Sequence, residues 1–359
     1  MALPPAPSSK HSWSQSNENA TAQRAPTGHS CGASDRPART RAIVRRHSSS
    51  CIFHGWSRWL MARFGWLRTV AFSVQYCARM FAVRPVATVV SNNKRQIQVT
   101  DLETLQDKVI LLTGASQGIG AATVQILARK GADLIAHHRG GPGDLDGAHA
   151  ALDGVESGRK HFVEGDFDDE TVADEVWAQA LAWRDRIDVL VLNAAMMMPS
   201  GGVDDPDEEW DAAWQTHYRV NVLAPARLMR QAVRHFRSRG GGVIILMSSW
   251  VAQRGVTNPK MLAYAASKSA IKAVAQSIAS GYAKDRIYAY IIAPGIVRTK
   301  MSVDFAKLQG GEDQVTRMLA MGEWVPPGEI GELIAFLASG KVRHLTGATL
   351  DVNGATYIR

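Results

Sequence analysis

From residue 107 onward, short apolar runs alternate with longer segments in which apolar residues recur at helical spacing. The runs Val109–Thr113, Asp133–Ala136, His161–Gly165, Val189–Asn193, Val243–Ser248, Ile287–Ala293 and Thr349–Val352 are predicted strands. Helices are predicted near 118–130, 170–184, 208–238, 262–283 and 328–339. A strand apolar at consecutive positions is buried on both faces. Separated by helices, such strands imply a parallel sheet covered on both sides. The expected architecture is α/β, a doubly wound seven-stranded parallel sheet forming a single domain over 107–359. Such a sheet binds ligands beyond the carboxyl ends of its strands.

The first hundred residues do not share this pattern. Residues 1–50 are rich in Ser, Pro, Ala and Arg without an apolar period, a composition that predicts disorder. Residues 51–82 are more apolar, but Arg58, Arg63, Arg68 and Arg79 interrupt them below the roughly 20 residues of a spanning helix. Two readings stay open for this extension. It is an Arg-rich, acid-poor organelle-targeting segment, or translation begins at Met61 or Met80 and the upstream residues are not native. The domain is expected in the cytoplasm, or in an organelle if the targeting reading holds.

Charge sharpens the division. Residues 1–100 carry 14 Lys and Arg against only Glu18 and Asp35, whereas the remainder carries 27 basic and 31 acidic residues. The net charge of +8 therefore belongs to the extension, and a nucleic-acid or membrane partner for the folded region loses its electrostatic basis. Cys31, Cys51 and Cys77 also lie there, so the domain has no disulfide framework, thiolate nucleophile or Cys-based metal site. Its seven histidines show no HExxH spacing, and no metal site is expected.

The chemistry-bearing motifs fall at strand ends. Thr113-Gly114-Ala115-Ser116-Gln117-Gly118-Ile119-Gly120 joins the first strand to a helix, where glycines admit a tight turn and the helix N-terminus favours a pyrophosphate. Its spacing, G-x-x-x-G-x-G, departs from the usual G-x-G-x-x-G. Asn193-Ala194-Ala195 follows the fourth strand. Tyr264-Ala-Ala-Ser-Lys268, Pro294-Gly295-Ile-Val-Arg-Thr299 and Leu345-Thr346-Gly347 with Asp351-Val352-Asn353-Gly354 complete the series. Five motifs in this order and spacing over residues 107–359 resemble the short-chain dehydrogenase/reductase family.

The resemblance implies a Rossmann-type fold and an NAD(P)-dependent oxidoreductase that moves a hydride between nicotinamide and a carbonyl or secondary alcohol carbon. In that family an acid ending the second strand binds the ribose of NAD, and its absence beside an Arg accommodates the 2′-phosphate of NADP. Here His138 stands at the acid's position and Arg139 offers a planar fork suited to phosphate. NADP is the expected cofactor, with NAD as the alternative, although Gln117 is neutral where many NADP members carry a base. Asp166 and Phe167 match the adenine-contact position, Asp166 alternatively capping a helix. Asn193 and Ala194, together with Pro294, Gly295, Val297 and Thr299, complete the expected cofactor contacts, along with Tyr264 and Lys268.

Tyrosine alone, with a pKa of about 10, is a poor base. A lysine one helical turn away stabilises the phenolate, and Tyr264 and Lys268 have that spacing. The resemblance gives Tyr264 the proton transfer, Lys268 the tuning of Tyr264 and a bond to the nicotinamide ribose, and a strand serine the reacting oxygen. Ser-Ser-x-x-Ala aligns Ser249 with that serine, and Ser248 is the alternative, directed to the opposite face. Asn221 matches the residue whose backbone holds a relay water.

Residues 300–325 and the stretch after Asn193 are expected to wall the substrate. They carry Met196, Met197, Met198, Met301, Phe305, Leu308, Met318, Leu319, Met321 and Trp324, which suit an apolar ketone or else pack a core. The resemblance further implies a homodimer or homotetramer through the 208–238 and 262–283 helices. An NADPH-dependent ketoreductase is the leading expectation. An NAD-dependent alcohol dehydrogenase is one alternative. A second is a 3-oxoacyl carrier-protein reductase, for which Arg219 and Arg298 would meet the acidic partner, and a third is a non-catalytic cofactor-binding regulator.

Overall fold

The computed structural model describes residues 104–359, so the readings of residues 1–100 and of the three cysteines lie outside the described residues. Seven strands, β1 Val109–Thr113, β2 Asp133–His138, β3 Lys160–Glu164, β4 Val189–Leu192, β5 Gly242–Met247, β6 Ile287–Pro294 and β7 Thr349–Val352, form one sheet. Their order is β3-β2-β1-β4-β5-β6-β7 and every pairing is parallel. The chain reverses direction across the sheet between β1 and β4, which opens a crevice at their carboxyl ends.

Ten helices cover the sheet among the described residues: α1 Gly118–Arg129, α2 Pro142–Ala151, α3 Val172–Arg184, α4 Asp207–Tyr218, α5 Ala224–Arg239, α6 Val251–Arg254, α7 Leu262–Tyr282, α8 Lys300–Lys307, α9 Glu312–Arg317 and α10 Pro327–Ala338. The continuous apolar strands resolve into two alternating sets. Ile110, Leu112, Leu134, Val191, Ile245 and Ile292 pack with α1 and α10, whereas Leu111, Ile135, Leu190, Ile244 and Ile291 pack with α3, α5 and α7. The expected doubly wound, two-faced sheet is the architecture found.

The single helix predicted over 208–238 is α4 and α5 joined by a wider π turn, Arg219–Leu223. Pro225, in the first turn of α5, has no N–H to give the carbonyl four residues back, which is that of Asn221. The helical ladder must therefore open at Asn221. Four further helices, α2, α6, α8 and α9, fall where the sequence reads as loop. α2 arises from a segment holding Gly141, Gly143 and Gly147, which hides its period. α8 and α9 fold over the crevice around Ala306, Val315, Leu319 and Trp324, a small core of their own.

Candidate active site

The glycine-rich turn is fixed by its neighbours before any ligand is considered. Gly114 has φ +70, and a Cβ there would sit 3.0 Å from the Ala194 Cα. A Cβ on Gly120 would lie far inside contact distance of the Gly114 carbonyl. The Asn193 amide donates to the carbonyls of Thr113 (3.0 Å) and Gly114 (2.9 Å). The Thr113 hydroxyl accepts from the N–H groups of Asn193 and Ala194, both at 3.0 Å. Gln117, Gly118 and Ile119, the N-terminus of α1, consequently face open space.

A residue that the motif analysis did not single out completes this clamp. His137 accepts from the Gly114 N–H through Nδ1 at 3.2 Å and meets the Gly165 carbonyl through Nε2 at 2.9 Å. Its ring stacks on Phe167 with centroids 4.4 Å apart. Burial holds its pKa down to about 4, so the ring is neutral, with its proton on Nε2. Strand alternation was the available signal, since adjacent His137 and His138 cannot both point into one crevice. His138 is the one that turns away. It is buried off the cavity, with Nδ1 lacking a hydrogen-bond partner among the described residues.

At the far end of the crevice, Ser249 on the segment after β5 and Tyr264 on α7 share the cavity wall, the serine hydroxyl near enough to the phenol to favour its anion. Ser248 turns back and donates to the Lys268 carbonyl at 3.2 Å, anchoring α7. The Lys268 ammonium donates to the Met247 carbonyl at 2.9 Å and lies 6.0 Å from the centre of the Tyr264 ring. Burial lowers the Lys268 pKa to about 8. Burial also raises that of Tyr264, and the nearby Ser249 hydroxyl opposes the rise. The one-turn spacing predicts a phenol acidified by the ammonium; in this geometry desolvation dominates and Tyr264 keeps its proton at neutral pH.

Asn221 sits behind these groups, buried in the π turn and off the cavity wall. It accepts from the Met196 N–H (2.9 Å) and donates to the Met196 carbonyl (3.0 Å) and Ser267 Oγ (3.1 Å). His217, also buried, donates through Nδ1 to the Ala213 carbonyl (2.7 Å), accepts from the Met198 N–H (3.3 Å) and lies edge-on to Tyr264. Its pKa is lowered, first by burial and then by the nearby Lys268 charge.

One cavity of about 810 Å³ joins both ends. Of the sequence-predicted positions, it gathers Gly114, Ser116–Ile119, Arg139, Asp166, Phe167, Asn193, Ala194, Ser249, Tyr264, Lys268, Pro294, Gly295, Val297 and Thr299. It leaves out Gly120, His138 and Asn221. The Asp166 carboxylate lines the cavity and also caps the following turn, accepting from the Asp168 N–H at 3.0 Å. Among the apolar candidates, Met196, Met197, Met301, Phe305, Met318 and Leu319 line it. Met198, Leu308 and Met321 are exposed off the cavity, and Trp324 packs in the small core of α8 and α9 with Nε1 donating to Thr316 Oγ1 at 2.7 Å. Among the described residues no cluster of three potential metal ligands occurs, and no helix is long and apolar enough to cross a membrane.

Comparison with known proteins decides the family. A family model described as enoyl-(acyl carrier protein) reductase matches residues 114–355. The oxidoreductase UcpA of Salmonella typhimurium is 33% identical over 263 residues, covering 71% of this chain and 96% of that protein. The chain belongs to the short-chain dehydrogenase/reductase family.

It is accordingly an NAD(P)-dependent oxidoreductase acting on carbonyl or alcohol groups. Another family member, the cis-4-hydroxycyclohexanecarboxylate dehydrogenase of Sinomonas cyclohexanicum, is 31% identical and covers 70% of this chain and 97% of its own. The L-sorbose reductase of Gluconobacter frateurii, solved with NADPH and L-sorbose, is 25% identical with a TM-score of 0.64, covering 70% of this chain and 97% of its own. Two further residues that sequence reasoning missed reach the cavity: Asp144 on α2 and Arg254 on α6.

Proposed function

We propose that this chain is an NADP(H)-dependent ketoreductase in which Tyr264 donates the proton and Ser249 positions the reacting oxygen. The observation that carries the reading is the hydroxyl pair Ser249–Tyr264 on a wall shared with the glycine-rich turn. The turn fits a dinucleotide: its backbone is clamped open by Asn193 and His137, and α1 presents its N-terminus to the space where a pyrophosphate would lie. When bound, the reduced nicotinamide supplies the hydride that the carbonyl carbon accepts. The carbonyl oxygen takes the Tyr264 proton as the C=O bond opens, leaving a secondary alcohol and a tyrosinate. Lys268, buried one turn on, stabilises that anion and returns a proton to it. Asn221, in the π turn that Pro225 follows, is the residue placed to hold a relay water through its backbone.

For NADP over NAD, the support is Arg139 on the cavity wall, no acid at the end of β2, and the NADPH of the sorbose reductase. One observation favours NAD as a second reading. Asp144, also on the wall, pairs with Arg139 at 3.2 Å and accepts from Ser116 Oγ at 3.4 Å, a carboxylate where a 2′-phosphate would approach. The arginines expected to meet a carrier protein are both paired within the chain. Arg219 is engaged by Asp168 and Arg298 by Glu312, at 2.9 and 3.0 Å.

The test is to measure reduction of simple ketones and titration of both cofactors in two variants. Tyr264→Phe is expected to cut kcat by well over about 100-fold while cofactor affinity survives. Lys268→Met is expected to lower turnover and cofactor affinity together. Alcohol oxidation in the wild type should rise with pH, because its base is a tyrosinate whose formation burial disfavours. Near-normal turnover in Tyr264→Phe would sink the mechanism.

A further inference from the structure

Beside the catalytic wall, the cavity carries an exposed cation with no ion-pair partner among the described residues. Four cationic side chains line the cavity, those of Arg139, Arg254, Lys268 and Lys300. Arg139 is paired with Asp144 at 3.2 Å, Lys300 with Asp304 at 2.6 Å, and Lys268 donates to the Met247 carbonyl. Arg254, the last residue of α6, has no ion pair and no hydrogen bond among the described residues. Its guanidinium lies instead over two rings, 4.7 Å from the centre of Trp250 and 5.8 Å from that of Tyr357.

That placement is built from several segments. The Trp250 N–H donates to the Pro294 carbonyl at 3.0 Å, fixing the ring beside the Ser249 wall. Gln253 donates to one oxygen of Asp351 at 2.7 Å and Arg359 to the other at 2.8 Å. The carboxylate of this network is therefore engaged without Arg254. Asn353 holds Tyr357 in turn, donating to its carbonyl at 3.0 Å and accepting from its N–H at 3.4 Å. Stacking occupies the faces of a guanidinium and leaves its N–H edge for an acceptor. The cavity's own acids, Asp144, Asp166 and Asp168, follow β2 and β3, across β1 and β4 from α6.

We propose that Arg254 is an anion subsite and that the substrate is a small hydroxy or oxo carboxylate. Its carbinol or carbonyl carbon lies at Ser249 and Tyr264, its carboxylate bonds the Arg254 fork, and Met196, Met301 and Leu319 take the hydrocarbon between. The proposal names the substrate class of the ketoreductase and rests on that reading for the reacting end. A carboxylate is a ligand that a planar two-pronged donor fits well, and Arg254, exposed at the cavity mouth, presents that edge to an incoming anion.

The test uses the full chain with matched probes, 4-oxocyclohexanecarboxylate and its methyl ester as substrates, and cyclohexanecarboxylate and cyclohexanecarboxamide as ligands that cannot react. The acid is expected to be reduced with at least about 10-fold higher kcat/KM than the ester. In Arg254→Met the acid-to-ester ratio should fall about 10-fold, the lower end for a hydrogen bond to a charged group, because Arg254 is exposed. Arg254→Lys, which keeps the charge and loses the fork, should restore part of it. Calorimetric titration should show the carboxylate binding more tightly than the carboxamide, with the difference lost in Arg254→Met. Equal reduction of acid and ester, with carboxylate and carboxamide binding alike, overturns the subsite; this comparison needs only the wild type. If neither ketone is reduced but the carboxylate still binds through Arg254, the ketoreductase reading fails and the subsite stands.

Discussion

At the scale of single residues, the site depends on buried groups held in one protonation state. His137 makes the point most clearly, because its neutral ring accepts the Gly114 N–H and so sets the cofactor turn. In the unfolded chain a histidine takes a proton near pH 6.5, whereas in the fold burial delays this to about 4. Between those values the unfolded chain holds more protons, so acidification favours unfolding. The stability that His137 contributes is whole above 6.5 and falls away as the pH drops to 4. A shift of this size corresponds to about 3 kcal/mol. Urea unfolding at pH 7 and pH 4.5 should reveal most of it, and His137→Asn, neutral throughout, should show a shallower loss on acidification. The same acid slope in both proteins would mean that other groups govern acid lability. Protonation of His137 also removes the acceptor for Gly114, so cofactor binding to the folded protein is expected to weaken only as the pH falls through about 4.

Among the elements, those legible in the sequence are the ones with an uninterrupted period. All seven strands and the helices α1, α3, α7 and α10 stand within a few residues of their predicted bounds, most of them because they carry a continuous apolar run or face; the edge strands β3 and β7 are more polar and only partly buried. The helices missed are short or glycine-laden, and α8 and α9 gain their stability from packing on one another around Trp324 rather than from local propensity. The motif residues were legible for the same reason: their order along the chain reports the strand ends. Partners brought by unpredicted elements were not, and α2 is the instructive case, since it delivers Asp144 to Arg139. The sequence presents Arg139 as free for a phosphate, but α2 supplies it with a competing carboxylate. Removing that carboxylate while keeping its shape, Asp144→Asn, is expected to raise the ratio of NADPH to NADH kcat/KM several-fold. Arg139→Ala should lower the ratio by about 10-fold or more. Cofactor titrations of both variants decide the matter. A fall in the ratio for Asp144→Asn would show that Asp144 organises the phosphate site instead of opposing it.

For the whole molecule, the question is where the folding unit begins. The excess of positive charge ends near residue 100, and the described region is a chain of nearly balanced sign with both faces of its sheet covered. We propose that residues 1–99 are dispensable for folding and catalysis, as the change of composition suggests. The boundary has a sharper edge than composition alone implies. Leu105 is fully buried in the core that holds α1 and α10, and its N–H donates to the Lys130 carbonyl at 2.8 Å, closing the end of α1. A chain starting at Thr100 keeps that contact, whereas one starting at Asp107 loses it. Deleting a buried leucine side chain costs roughly 2–5 kcal/mol, which for a domain of this size is a fall on the order of 5–15 °C in Tm. The Thr100 chain is therefore expected to melt with the full-length protein and to retain its kcat with ketones, and the Asp107 chain to melt well below both. Thermal unfolding followed by circular dichroism, alongside turnover, separates the cases. A Thr100 chain that is insoluble or inactive would place the first hundred residues inside the folding unit, and an Asp107 chain as stable as the others would remove Leu105 from its edge.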